Sequence, residues 1–452
     1  MATAICRYLT RRGFRVAPFK AQNMSNNSMA CPGGGEIGRS QAAQAAACGI
    51  DPHPDMNPIL LKPSADAGSQ LVLEGHPWRN VRGTHYDGHF EFLLERVQAA
   101  YHRLADGPDY VVIEGAGGIA ELNLKGSDLV NMRLATVLDA TCLLVADIDR
   151  GGVFASVIGT LGLLDPDEAD RIRAFAVNRF RGTPALFEEG VRILEGKTGK
   201  PCLGVFPFDV EIELAAEDGV ALESPSTVRS PVPGVGVVAL PHISNFTDFR
   251  LLGPVPFLRK PIDQRFETIF LPGTKAPIPD MDWLRRCGMD QWILEQHRRG
   301  CRIVGVCGGY QIMGEAIEDP DTRESSTRAT RGLGLLPAHT RIEPVKTTRQ
   351  VRARTPSGVE FAAYEIHMGR TTIARETPPF AVLGDGTADG VRVGNLVGTY
   401  LHGAFEDPAV LSELTGHAIE AGDICDNYDR LAEWFAMNID QTVFDREFLG
   451  LD

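Results

Sequence analysis

Short apolar runs, each closing on a glycine or a charged residue, recur from Phe14 to about Phe208: FRVAPF, YVVIEGAGG, TCLLVADIDRGG, AFAVNRFRG and CLGVFPF. Every run is apolar on both of the faces that a strand presents, and helical stretches lie between them. Strands buried on both faces belong inside a sheet covered on both sides, and intervening helices make that sheet parallel. Ligands of such sheets bind beyond the carboxyl ends of the strands. Here those ends carry Lys20, Glu114, Asp147, Asp149 and Asn178.

The rhythm breaks at 223-ESPSTVRSPVPG-234, rich in Pro and Ser and without an apolar period, which reads as an interdomain linker over 223–233. It then restarts with VGVVALP, ETIFLPG, CRIVGVCGG, VEFAAYEIHMG and NLVGTYLHG. A chain of 452 residues is too long for one ordinary core. The reading is therefore two α/β units, 1–222 and 234–430, followed by an amphipathic helical stretch over 431–452. The polar run 318-EDPDTRESSTRATRG-332 reads as a solvated surface loop.

Composition narrows the function classes. A formal net charge of −14 gives no overall attraction to nucleic acid or to an anionic membrane. No apolar segment approaches the ~20 residues that span a bilayer. The first twenty residues, MATAICRYLTRRGFRVAPFK, lack the pattern of a secretory signal. Nine cysteines without a CxxC pair indicate neither a zinc knuckle nor a disulfide framework, so a reducing cytoplasm is expected.

One of those cysteines ends a strand. Gly305-Val306-Cys307-Gly308-Gly309 fits G-x-C-x-G, and the small neighbours are what a sharp strand-to-helix elbow needs. The following helix, YQIMGEAI, would point its N-terminal amides at the thiol, favouring thiolate and offering donors to an oxyanion. A thiol nucleophile needs a base within reach. His402 in 398-GTYLHGAFE-406 also ends an apolar run, where a parallel sheet presents it at the same edge; His367 in YEIHMGR is a rival on similar grounds. GVCGGYQIMG followed by GTYLHGAF resembles the class I glutamine amidotransferase domain, in which cysteine attacks the glutamine amide and histidine shuttles the proton. The stretch 271-LPGTKAPIPDMDWLR-285 resembles that domain's oxyanion strand, which implies that Gly273, with Gly308, helps bind glutamine and its tetrahedral intermediate. Many relatives have H-x-E, but Ala404 stands two residues after His402, and Glu406 has the wrong spacing. What orients His402 is left open, and a Cys-His dyad is expected.

The whole chain carries a second resemblance. KAQNMSNNSMACPGGGEIGRSQAAQA, HPDMNPILLKP, VVIEGAGGIAELNL, DIDRGGVFAS, VNRFRG and YEIHMGRT together resemble the cobyric acid synthases. That family amidates the b, d, e and g carboxylates of adenosylcobyrinic acid a,c-diamide, with ATP and glutamine. The resemblance implies a first domain like dethiobiotin synthetase, a P-loop fold. It implies ATP and Mg²⁺ as cofactors, and glutamine and a corrinoid as substrates. Glu36 and Glu114 would hold the metal, and Lys20, Asp147 and Asp149 would lie against ATP or substrate. Asn23, Asn26, Asn27, Arg179 and Arg181 are weaker candidates for substrate contact.

One departure stands out. No GxxxxGK[ST], the loop whose amides and lysine cradle phosphates, occurs in these 452 residues. The expectation is that the first strand and its loop lie upstream of Met1, and that the sequence as written lacks ATP-dependent amidation while hydrolysing glutamine without coupling. Two rivals stand beside this reading: cobyrinic acid a,c-diamide synthase, which shares both domains, and a non-catalytic corrinoid- or partner-binding relic.

Overall fold

The computed structural model describes residues 1–63, 68–81, 86–209, 212, 229–374, 376–420 and 424–451. Residues 223–228 of the expected linker lie outside the described residues. Helix α1 (Ala2–Arg11) leads into β1 (Val16–Phe19), and α2 (Arg39–Ala47) follows after three short strands. The parallel strands β2 (Tyr110–Ile113), β3 (Cys142–Asp147), β4 (Ile172–Phe180) and β5 (Cys202–Pro207) complete the first α/β unit. They form two fragments, β1-β2 and β5-β4-β3, all parallel within each. A cavity of about 860 Å³ lies against both, lined by Val112 and Ile113 on one side and Leu144 and Val145 on the other.

In the second unit the sheet is continuous. Strands β6 (Val235–Val238), β7 (Phe257–Leu258), β8 (Thr268–Leu271) and β9 (Arg302–Val306) come first. They are followed by helix α3 (Gly308–Met313), the long hairpin β10 (Ala338–Arg354) and β11 (Glu360–Ile373), then β12 (Val391–Val393) and β13 (Leu396–Thr399). The spatial order is β7-β6-β8-β9-β13-β12, parallel except for the edge strand β12. Ile303, Val304 and Val306 of β9 are fully buried, as the doubly apolar run requires, and each such side chain contributes about 1.5–3 kcal/mol.

Helix α4 (Ile424–Asn438) closes the chain back onto its start, beginning upstream of the 431 boundary read from sequence. Tyr8 meets Phe435 edge to face at 5.2 Å and Phe444 at 5.8 Å, and Arg7 pairs with Asp429 at 2.8 Å. The C-terminal stretch thus belongs to the core of the first unit. No helix among the described residues is long and apolar enough to cross a membrane.

Candidate active site

Three neighbouring strands end at one place. Pairing of Val306 with Thr399 sets β9 beside β13, and pairing of Gly305 with Leu271 sets β8 on the other side. Cys307 follows β9 directly, His402 lies three residues past β13, and Gly273 two past β8. Cys307 turns the chain at φ 50° and ψ −110°, a conformation that costs a non-glycine residue about 1–3 kcal/mol. The surrounding structure enforces it: the Cys307 amide donates to the Thr399 carbonyl at 2.8 Å. The glycines permit it: a methyl on Gly308 would sit 2.5 Å from Thr274 Cγ2, and one on Gly309 2.0 Å from the Leu271 carbonyl oxygen.

Cys307 and His402 line one small cavity, with about 30 Å³ of free space, room for a molecule or two the size of water. His402 is 1% exposed, and its Nδ1 meets Asp248 Oδ2 at 2.7 Å, which leaves Nε2 for the thiol. Asp248 Oδ1 accepts from the Gly403 amide, also at 2.7 Å. Burial pulls the imidazole down, but the Asp248 carboxylate and the Cys307 sulfur outweigh it and hold its pKa at about 10. At neutral pH the imidazole so held keeps its proton and sits beside the sulfur as a cation. His367 lines the same cavity, but its nitrogens are taken by the Gly369 carbonyl at 2.8 Å and Glu365 at 3.3 Å.

Asp248 is the orienting group that the sequence left open. It sits in a 3₁₀ stretch, 246-FTDFRLL-252, buried at every position but Arg250, with Phe246, Phe249, Leu251 and Leu252 packed around it. A lone carboxylate inside so apolar a run marks Asp248 as a buried acid, though not as the partner of His402. Glu406, the weaker candidate, turns away and pairs with Arg39 of the first unit at 2.6 Å. The run 318–332 is largely solvent-exposed, as read from sequence, but it turns two side chains, Asp319 and Ser325, inward. Asp319 is fully buried and accepts from the amides of Arg323, Glu324 and Ser325, folding the segment back so that Glu324 reaches Lys275 at 2.7 Å and lines the cavity.

Linkage makes the His402–Asp248 pair testable. A histidine raised in the folded state contributes stability that is fully present below its unfolded pKa of about 6.5 and is lost as pH rises through the folded value of about 10. Thermal midpoints should therefore fall across that window, and Asp248→Asn should remove this part of the slope. Gly273→Ala tests the close approach. Its methyl would lie 2.8 Å from His402 Cε1 and 3.0 Å from the Ser244 carbonyl oxygen. The expected cost is about 1–3 kcal/mol in denaturant titration, with loss of glutamine hydrolysis.

Comparison with known proteins bears on what this site serves. Residues 234–410 match the CobB/CobQ-like glutamine amidotransferase domain, and residues 1–222 match the CobQ/CobB/MinD/ParA nucleotide binding domain. The cobyric acid synthase of Parabacteroides distasonis is 43% identical, over 97% of this chain and 93% of that protein. That of Bacteroides fragilis is 44% identical over 98% and 89%, and that of Sorangium cellulosum 41% over 100% and 96%. The chain belongs to the cobyric acid synthase family. It is a glutamine-dependent amide ligase of cobalamin biosynthesis.

The ATP-dependent half of a cobyric acid synthase has to come from the first unit. There Glu114, just past β2, meets Lys20 Nζ at 3.0 Å and accepts from Gln44 Nε2. It lines the 860 Å³ cavity together with Gly115, Gly117 and Gly118. Glu36 is not part of that group. It is fully buried, with Lys62 at 2.6 Å and Ser28 Oγ at 2.9 Å on one oxygen and Lys346 of the second unit on the other. Burial opposes its charge, but the two ammonium groups hold it well below the usual carboxylate range. No group of three or more metal-ligating side chains occurs among the described residues. Asp147 accepts from the Asp149 amide at 2.8 Å and faces Arg179 at 3.5 Å, while Asp149 pairs with Arg181. Asp147 and Asp149 thus satisfy each other's loop and the VNRFRG arginines. The asparagines divide. Asn23 donates to Gln41 at 2.9 Å within the first unit, and Asn26 lines the cavity beside Cys307.

Proposed function

We propose that this chain amidates the b, d, e and g carboxylates of adenosylcobyrinic acid a,c-diamide, drawing nitrogen from glutamine at Cys307 and energy from ATP in the first unit. The observation that carries the reading is the Cys307–His402–Asp248 alignment at the joined ends of β9 and β13. The thiolate attacks the glutamine amide carbon, and the negative charge on the oxygen falls among the backbone amides around Gly273 and Gly308. His402 gives its proton to the departing nitrogen, the C–N bond breaks, and a glutamyl thioester and ammonia result. Water then attacks the thioester, its proton passing to Nε2, and glutamate leaves.

The ammonia is released where both units meet. Asn26 and Lys62 of the first unit line the cavity with Cys307, and the Oδ1 of Asn26 and the Oε1 of Gln311 are buried acceptors with no partner among the described residues, suited to N–H donors. A carboxylate is a poor electrophile, so bound Mg²⁺-ATP supplies its activation by phosphorylation. Glu114 would hold the metal, in the usual mode of one carboxylate plus substrate phosphates, and Lys20 would face the phosphate or the corrinoid carboxylate. Glu36 is assigned to the interface instead, because it is fully buried among Lys62, Ser28 and Lys346, whereas Glu114, though paired with Lys20 and Gln44, is part-exposed and lines the 860 Å³ cavity.

The test is to incubate the protein with each corrinoid intermediate, ATP and glutamine and count the amides gained by mass. Amidation of the a,c-diamide at its four remaining sites supports the assignment. Because these 452 residues hold no GxxxxGK[ST], the incubation is run in parallel with a chain that carries such a loop. Amidation confined to the a and c carboxylates assigns the chain to the diamide synthase instead, and glutamine hydrolysis without any amide gained by the loop-bearing chain overturns the synthase reading.

A further inference from the structure

Arg39 opens α2 in the first unit, yet its guanidinium is spent on the second. Nη2 donates to both carboxylate oxygens of Glu406 at 2.6 Å each, and Nη1 to the Tyr364 hydroxyl at 3.4 Å. The side chain is 13% exposed. Glu406 ends the 3₁₀ turn Ala404–Glu406 that follows His402-Gly403. The Tyr364 ring lies nearly parallel to the imidazole, with centroids 5.5 Å apart and planes inclined by 25°. Its backbone also exchanges both hydrogen bonds with that of His402, at 2.9 and 3.0 Å. One guanidinium therefore ties together the ring stacked on the histidine and the turn that continues from it. Burial opposes its charge, and Glu406, Tyr364 and Asp248 more than restore it. A lysine would supply the charge without the two-pronged geometry.

We propose that Arg39 is a positioning residue for glutamine hydrolysis, through which the first unit holds His402 in its working orientation. This rests on the reading of Cys307 and His402 as the hydrolytic pair. Farther along the same helix Gln44 donates to Glu114, so α2 links one site to the other.

The experiment uses the full chain and follows glutamine hydrolysis with Arg39→Met, Arg39→Lys and Glu406→Gln. Arg39→Met should lower kcat about tenfold to a hundredfold, the scale of a small misplacement of a catalytic group, with KM for glutamine little changed. It also removes the cation that acts on Asp248 and Glu406, the first of which holds the imidazole, so the basic limb of the pH profile should move upward. Arg39→Met/Glu406→Gln should bring that limb back without restoring kcat, and Arg39→Lys should recover the limb but only part of kcat. Should Arg39→Met fail to fold, Arg39→Lys and Glu406→Gln decide by the same two readouts. An unchanged kcat and an unmoved pH profile in a folded variant overturn the proposal, as does a fall in melting temperature as the sole effect. Cys307→Ala is run alongside. If it still hydrolyses glutamine, the pair itself is wrongly assigned; if it is dead while the Arg39 and Glu406 variants match the parent, only the positioning role falls.

Discussion

Cys307→Ala yields a folded protein in which glutamine hydrolysis falls by about 10⁴-fold or more, the scale seen when a nucleophile that works as a unit with its base is removed. Stability is expected to stay near that of the parent, because the side chain removed is small and the packing of Val304, Val306 and Ile312 around it is unchanged. The backbone strain also stays, since alanine is no happier than cysteine at φ 50° and ψ −110°. Cys307→Gly, equally inactive, should relieve that strain and melt above Cys307→Ala, by the equivalent of about 1 kcal/mol. The pair of variants separates what the position does for chemistry from what it costs the fold. In a chain that carries a GxxxxGK[ST] loop, amidation supplied with ammonium salt in place of glutamine should survive both substitutions, because nitrogen then enters downstream of the thiol. Retained glutamine turnover in Cys307→Ala would remove the nucleophile from this site.

Much of this arrangement could be read from local sequence because the physics involved is local. Strands such as IVGV and NLVGTY are apolar on both faces, so their place inside a parallel sheet follows from the residues alone. Residues just beyond such strands must gather at one edge, and that is where Cys307, His402 and Gly273 are found. The elbow was legible for the same reason: Gly308 and Gly309 are small because Thr274 and Leu271 leave no room for a Cβ.

Partners chosen by packing between distant segments were not legible. Asp248 precedes His402 by 154 residues, and nothing in the sequence fixes which acid reaches Nδ1. Glu36 illustrates the same limit from the other direction. In GGEIGRSQ it looks like a metal ligand, but its partners Lys62 and Lys346 come from a different strand and a different unit. Burial pulls Lys346 down to about 7 against the attraction of Glu36, a balance that no motif encodes. Arg39 and Glu406 lie 367 residues apart and report the same fact: charge pairing across the interface is decided by the assembled fold.

Asp248→Asn is expected to be nearly as damaging as loss of the nucleophile. The carboxylate accepts from Nδ1 through Oδ2 and from the Gly403 amide through Oδ1. An asparagine can satisfy one of these as an acceptor, but it presents an N–H₂ donor to the other. With its oxygen on Gly403, the amide donates to Nδ1, and the imidazole is driven to the tautomer with its proton on Nε2, facing the thiol. That histidine can no longer take a proton from sulfur or water. In a triad of this geometry the same change costs about 10⁴ in kcat while the fold is kept. The pH dependence supplies an independent check. With the carboxylate gone, only the Cys307 sulfur opposes burial, and the His402 pKa should fall from about 10. Alkylation of Cys307 by iodoacetamide, followed by peptide mass, should slow correspondingly at neutral pH, because the sulfur loses its cationic neighbour. A variant that keeps a tenth or more of the parent kcat, with Cys307 alkylated at the parent rate, would show that His402 is oriented by something other than Asp248.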